Sequence, residues 1–151
     1  AESQGAPAGL DKAAAVDYLM AARVETALPA EQLSVVTEFP GWAAALAQTH
    51  HDEDGTPTAR RFEIYYRGLE LANGYQELTD AGEQQRRFEQ DNLRRQALAL
   101  PPMTADPFLL AALEQGLPAC SGVAMGLERL LMARLNRDRI GEVLTFPGDR
   151  A

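Results

Sequence analysis

Apolar and polar positions alternate with two different rhythms along this chain, and the rhythms divide it into elements. Between Asp11 and Leu28 the apolar residues Val16, Leu19, Met20 and Val24 recur at three- and four-residue intervals. Asp11 stands ready as a cap and Pro29 as a stop, so an amphipathic helix is predicted there. Residues 33–39 (LSVVTEF) are rich in strand-forming side chains and stop at Pro40-Gly41, with a short helix expected over Trp42 to Gln48 and a polar loop over His50 to Thr58.

From Arg61 to Leu71 the rhythm changes to strict alternation. Phe62, Ile64 and Tyr66 fall on one face and Glu63, Tyr65 and Arg67 on the other, the pattern of a half-buried strand whose aromatic and aliphatic face turns inward. A second strand is expected after Gly68. Asp80, with Glu83 three residues on, forms a capping-box pattern for a long polar helix to about Leu98, ended by Pro101-Pro102. Another helix is expected from Asp106 to Gln115, closed by Gly116. Residues 119–126 read as a small, apolar, buried strand, and Leu127 to Leu135 as a helix that packs Leu130, Leu131 and Met132 inside. Residues 142–146 complete the set as a strand. Strands in sequence, interrupted by helices without a regular strand-helix-strand beat, predict an α+β domain with an antiparallel sheet and flanking helices.

Composition narrows the field only slightly. The 151 residues are 46% hydrophobic, enough for one domain with a core, and the net charge of -8 argues against broad binding to a nucleic-acid backbone. The single Cys120 cannot form an internal disulfide, and no apolar run approaches the length that spans a bilayer, so no membrane is expected and the chain reads as cytoplasmic. Residues 1–9 (AESQGAPAG) have the composition of a linker, leaving residues 10–151 as the folded part.

Two segments carry candidate chemistry. Glu70-Leu-Ala-Asn-Gly-Tyr-Gln-Glu77 sets two carboxylates around Asn73-Gly74, and Ser121-Gly-Val-Ala-Met-Gly-Leu-Glu-Arg129 leads small residues into a helix bearing an arginine. Carboxylates can hold Mg²⁺ against phosphate oxygens, and arginine can contact a nucleotide, so the pair suggests an ATP site. In a straight strand Glu70 and Glu77 would stand roughly 23 Å apart on opposite faces. A turn or bulge at Asn73-Gly74 is therefore needed to bring them together. The plainer reading keeps both as solvated charges beside a hairpin turn, and Arg129 as a salt-bridge partner at its helix start. Arg86, Arg87, Arg94 and Arg95 read better as a solvent face paired with Glu83 and Asp91 than as a phosphate contact. His50, His51, Asp52, Glu53 and Asp54 lack a second cluster to complete a metal shell, and Cys120 reads as an inert buried thiol.

With these motifs in hand, the segment from Arg61 to Ala151 resembles the C-terminal part of class II lysyl-tRNA synthetase catalytic domains. GLELANGYQEL is similar to that family's strand segment for ATP, magnesium and lysine, and SGVAMGLERLLM to its motif 3; Phe88-Glu-Gln-Asp-Asn92 and Glu142-Val-Leu-Thr-Phe-Pro147 fall in the same order. Within the family, YYRGLELANGYQELTDAGEQQRRFEQDN resembles a shortened paralogous group that modifies elongation factor P. Ala124 stands where the tRNA-charging enzymes usually carry glycine.

The resemblance implies that Glu70 and Leu71 meet ATP and its Mg²⁺, that Gly126 adjoins the adenosine, and that Arg129 sits against the triphosphate as the catalytic residue. It implies Glu77 for the ammonium group of the amino acid, with Asn73, Tyr75 and Ala124 beside it, and Glu70 with Glu77 as metal ligands. The implied reaction activates lysine or (R)-β-lysine as an adenylate and passes it to a lysine of elongation factor P. The parent enzyme is expected as a homodimer, and tRNA is not expected as acceptor. A tRNA-charging synthetase and a non-catalytic synthetase-like module are the alternatives. Motifs 1 and 2 of the class are not found in this chain, which predicts the C-terminal part of an enzyme, with little ligase activity of its own.

Overall fold

The computed structural model describes Gly5 and residues 7–148. The linker expected at residues 1–9 lies largely outside the described residues. Asp11 caps the first helix as its position suggests, its carboxylate accepting from the amide of Ala14 at 2.8 Å. Helical chain then continues as α1 (Lys12–Leu19), a π-helical stretch over Met20–Val24, and α2 (Glu25–Ala27), ending before Pro29. Strand β1 (Ser34–Val36) and the two-residue β2 (Phe39–Pro40) replace the single strand expected over 33–39. Glu38 lies between them at φ 59, a backbone reversal that one continuous strand cannot contain.

The helix expected after Pro40 amounts to one 3-10 turn, Gly41–Ala43. The stretch expected as a loop is instead a hairpin of β3 (Thr49–His51) and β4 (Pro57–Ala59). Asp52 organises its turn, accepting from the amides of Asp54 at 3.0 Å and Thr56 at 2.7 Å. Aspartate at a turn supplies hydrogen bonds that a propensity reading of polar residues does not register.

Strands β5 (Arg61–Tyr66) and β6 (Leu69–Gln76) are joined by Arg67 and Gly68, both with positive φ, the two-residue turn whose twist matches a hairpin. Helix α3 (Ala81–Ala97) begins at Asp80, which accepts from the Glu83 amide at 2.8 Å. Helix α4 (Pro107–Gln115) is capped by Asp106 and closed by Gly116 at φ 101, both at their expected places. Strand β7 (Ser121–Met125) leads into α5 (Leu127–Leu135). The strand expected over residues 142–146 is not formed; a 3-10 turn, Ile140–Glu142, leads into this stretch. The strands form one sheet in the order β1-β5-β6-β7 and another in the order β2-β4-β3. Strand β1 runs antiparallel to β5, and β4 antiparallel to both β2 and β3, so the fold is α+β as expected.

The backbone divides into two compact units, one built from segments up to residue 37, 62–74 and 123 onward, the other from 38–61 and 75–122. In the first unit the buried face of β5 is the opposite of the one its alternation predicts. Glu63 and Tyr65 are the buried pair, 7% and 4% exposed, while Phe62, Ile64 and Tyr66 are only partly covered. Hydrogen bonding is the reason: the Tyr65 hydroxyl donates to Glu63 at 2.5 Å, and the Asn73 amide donates to the other Glu63 oxygen at 3.3 Å. A buried carboxylate is tolerated when its oxygens are satisfied in this way.

Two other expectations fail in this unit. Val123 and Met125 of β7 are exposed, so the strand is not buried. On α5 only Met132 is inside, at 4% exposure, with Leu130 and Leu131 at 42% and 40%. Apolar character marks residues that can be buried; it does not supply the element that covers them.

The second unit centres on Ala44, Ala47 and Ala59, with Phe39 and Tyr75 packed against them. Arg61 is fixed there, donating to the Ala43 carbonyl at 2.9 Å and stacking its guanidinium 4.6 Å from the centre of the Phe39 ring. The ion-paired reading of α3 holds for Glu83, which bridges Arg86 at 2.8 Å and Arg87 at 3.0 Å. Arg87 does more than solvate a face, since it also donates to the carbonyls of Ala45 and Ala47 at 2.9 and 2.7 Å. Arg95 donates to the Pro101 carbonyl at 2.7 Å and so ties down the chain leaving the helix. No helix among the described residues is long and apolar enough to cross a membrane.

Candidate active site

Strand β6 runs unbroken through Asn73-Gly74, and Gly74 is not among the residues with positive φ. The turn expected there is absent, because both residues are held in the ladder of a central strand. What β6 does instead is present its residues to two separate sets of neighbours, one in each unit.

In the first unit the set is Glu70, Leu71, Asn73, Ala124, Gly126 and Arg129. The Arg129 guanidinium donates to the backbone carbonyl of Glu70 at 2.8 Å and lies 3.9 Å from its carboxylate. Both side chains remain well exposed, so a guanidinium and a carboxylate stand side by side and open to a ligand. The amide of Gly126 donates to the Leu71 carbonyl at 3.0 Å, which fixes the entry to α5 against β6. A side chain at Gly126 would meet Arg129 Cδ at 3.3 Å, so the arginine lies over the glycine backbone. Leu71 is buried, and Ala124 is exposed on β7. Asn73 is half-buried and anchored by Glu63. The sequence does not single out Glu63, since its place in the alternation assigns it to the outer face.

In the second unit the set is Tyr75 and Glu77. The Glu77 amide donates to the Cys120 carbonyl at 3.0 Å, and its own carbonyl accepts from the Gln48 side chain at 3.0 Å. Its carboxylate lies against Gly122, in the space that a Cβ at that position would occupy. Gly122 therefore makes room for a protein carboxylate. Burial raises the Tyr75 phenol above its ordinary value, the Glu77 charge raises it further, and Arg61 acts in the other direction. Cys120 is a free, partly covered thiol. A separate apolar hollow of about 480 Å³ beside α3 is lined by Phe88, Leu98, Leu100 and Met103 and by none of the nominated site residues.

Among the described residues no group of three or more His, Cys, Asp or Glu is placed to hold a metal ion. Mg²⁺ is usually carried on phosphates and met by one or two carboxylates. The exposed Glu70 carboxylate beside a guanidinium has the chemistry for such a partner.

Residues 17–150 match the family of class II tRNA synthetases for D, K and N. The chain belongs to this family. It is 48% identical over 141 residues to the elongation factor P (R)-β-lysine ligase of Edwardsiella ictaluri, an overlap of 93% of this chain and 43% of that protein. It is 49% identical over 131 residues to the ligase of the same name from Mannheimia succiniciproducens, covering 87% of this chain and 40% of that protein. The Klebsiella pneumoniae ligase is 47% identical over 141 residues, 93% of this chain and 43% of that protein. The chain thus spans about two-fifths of the length of these curated relatives. The class II synthetase fold and the likeness to the elongation factor P-modifying group, both drawn from motifs, agree with these matches.

Proposed function

We propose that this chain is the C-terminal part of an ATP-dependent ligase that activates (R)-β-lysine as an adenylate and transfers it to a lysine side chain of elongation factor P. The observation that carries the reading is the identity of 47–49% to proteins bearing that name, spread over 87–93% of the chain. Glu70, Leu71, Gly126 and Arg129 form the nucleotide side. Arg129, held by the Glu70 carbonyl, is aimed before ATP arrives and stabilises charge on the reacting triphosphate. Mg²⁺ met by Glu70 would neutralise phosphate charge; a site shared with Glu77 needs a turn at Asn73-Gly74 that the strand does not make.

Glu77 is the partner for the substrate ammonium group, and Asn73, Tyr75 and Ala124 are the other nominated contacts of the amino acid. The Ala124 methyl group takes space that glycine would leave open, which favours an amino acid whose amine sits one carbon further from the carboxylate. The first step joins the amino-acid carboxylate to the α-phosphate and releases pyrophosphate. In the second, the acceptor lysine amine attacks the acyl carbon and AMP leaves. Alignment and charge stabilisation account for the rate, with no covalent enzyme intermediate. The parent enzyme acts as a homodimer in the cytoplasm and does not take tRNA as acceptor.

The test is ATP-pyrophosphate exchange by the full-length protein with (R)-β-lysine or α-lysine, followed by mass measurement of elongation factor P after incubation. Preferred exchange with (R)-β-lysine and a matching mass gain on elongation factor P are expected. Preference for α-lysine with charging of tRNA would return the chain to the synthetase branch, and no exchange with either would leave a non-catalytic module.

A further inference from the structure

We propose that Gln48 is a positioning residue of the amino-acid site, whose side-chain amide fixes the backbone of Glu77 and so holds the Glu77 carboxylate ready for the substrate ammonium group. That role rests on the reading of Glu77 as the ammonium partner. Glu77 is the first residue past β6 and faces Ala47 across an isolated antiparallel bridge. The hydrogen bonds of that bridge run from the Gln48 amide to the Gln76 carbonyl and from the Leu78 amide to the Leu46 carbonyl, each at 2.8 Å, so neither uses a backbone group of Glu77. The Glu77 amide turns instead to the Cys120 carbonyl at 3.0 Å. Its carbonyl meets no backbone donor among the described residues and accepts from Gln48 Nε2 at 3.0 Å. Of the two hydrogen bonds to the Glu77 backbone, this one alone depends on which side chain stands at position 48.

Chemistry fixes the direction of the contact. A backbone carbonyl accepts and cannot donate, so the Gln48 amide must present its NH₂ end. The side chain also starts from a fixed root, because the Gln48 backbone amide is held by the Gln76 carbonyl and its carbonyl accepts from the Arg60 amide at 2.9 Å. At the other end of Glu77 the situation is reversed. Its half-buried carboxylate lies against Gly122 and has no hydrogen-bond or ion-pair partner among the described residues. A carboxylate tethered at its backbone and unpaired at its end loses little freedom when a cation arrives, which is the advantage of holding a binding group in place beforehand.

The experiment uses the full-length protein and pyrophosphate exchange with (R)-β-lysine. Gln48→Met keeps the length of the side chain and removes its donor. It is expected to raise KM for the amino acid by about fivefold, the scale of one neutral hydrogen bond, with KM for ATP unchanged. Gln48→Lys supplies a donor of similar reach and is expected to bring KM to within about twofold of the parent, whereas Gln48→Glu turns only acceptors toward the carbonyl and should do no better than Gln48→Met. Equal losses with Met, Lys and Glu would assign Gln48 to packing and overturn the positioning role. Should Gln48→Met fail to fold, the comparison of Gln48→Lys with Gln48→Glu decides by the same criterion. Glu77→Gln separates the two readings. If it leaves KM for the amino acid unchanged, Glu77 does not contact the ammonium group and the role of Gln48 falls with it. If it raises KM while Gln48→Met does not, the amino-acid reading stands and the positioning role is overturned. In the Glu77→Gln background Gln48→Met should add less than about twofold, since both act through one carboxylate; a full additive loss would also overturn the role.

Discussion

The Glu77 carboxylate occupies the volume that any side chain at Gly122 would need. The two residues are far apart in sequence, and the hydrogen bond from the Glu77 amide to the Cys120 carbonyl brings their segments side by side. Because the obstructing atoms are the far end of a flexible side chain, an added methyl group displaces the carboxylate and not the backbone.

Gly122→Ala should therefore leave folding nearly intact while raising KM for the amino acid by about tenfold in the full-length protein, with KM for ATP unchanged. Pyrophosphate exchange beside a thermal melt checks both halves. Glu77→Asp in the Gly122→Ala background shortens the displaced side chain, so the two changes should combine non-additively; simple additivity would mean that they do not share the space.

Arg129→Ala removes a guanidinium held by the Glu70 carbonyl at 2.8 Å. A loss of about a hundredfold or more in kcat/KM for ATP is expected, and Arg129→Lys should recover little of it, because one ammonium group cannot hold the carbonyl and a phosphate together. Stability should change little, since both partners are exposed. Unaltered ATP kinetics in Arg129→Ala would assign the residue to the salt bridge alone.

Alkaline pH should destabilise the fold through the buried Tyr65 phenol and the partly buried Tyr75 phenol. Tyr65 is raised by burial and by Glu63, and Tyr75 by burial and by Glu77. An unfolded phenol loses its proton near 10, before either folded one does, so the stability these groups contribute is complete below about pH 10 and declines as pH rises beyond it. Urea midpoints across this range should fall in the parent and fall less steeply in Tyr65→Phe, at a cost of about 1 kcal/mol at neutral pH for the lost hydrogen bond.

The acid side runs in the opposite sense. Hydrogen bonds from Arg86 and then Arg87 hold the Glu83 carboxyl below its usual range. Its contribution is present above the unfolded value of about 4.3 and is lost as pH falls through the lower folded value. Solvent reaches the pair, so Glu83→Gln should flatten the acid limb of the stability curve by about 0.5 kcal/mol or less. A salt titration should shrink the effect further.

Local signals in the chain are reliable where one or two neighbouring residues decide the outcome. Asp11, Asp80 and Asp106 cap helices because a short acceptor meets an amide two or three residues on, and Gly116 ends a helix because it tolerates positive φ. The α+β class and the order of the two motifs are legible too, whereas the Arg67-Gly68 reversal is not, because the alternation reads on through it to Leu71. The loop reading of 50–58 fails because polarity alone does not register the hydrogen bonds that Asp52 gathers into a turn.

By itself, then, the sequence determined the helix ends at Asp11, Asp80, Asp106 and Gly116, the family and the residue types that nominate an ATP and amino-acid site. Only the tertiary structure decided which face of β5 is buried, that Asn73-Gly74 is strand and not turn, and that Gly122 reserves space for Glu77. Capping and turn formation are contests within a few residues, whereas the burial of Glu63 depends on a donor at Asn73 on another strand. A donor's presence cannot be read from the alternation of the strand that needs it, because hydrogen bonding can reverse the preference that hydrophobicity sets.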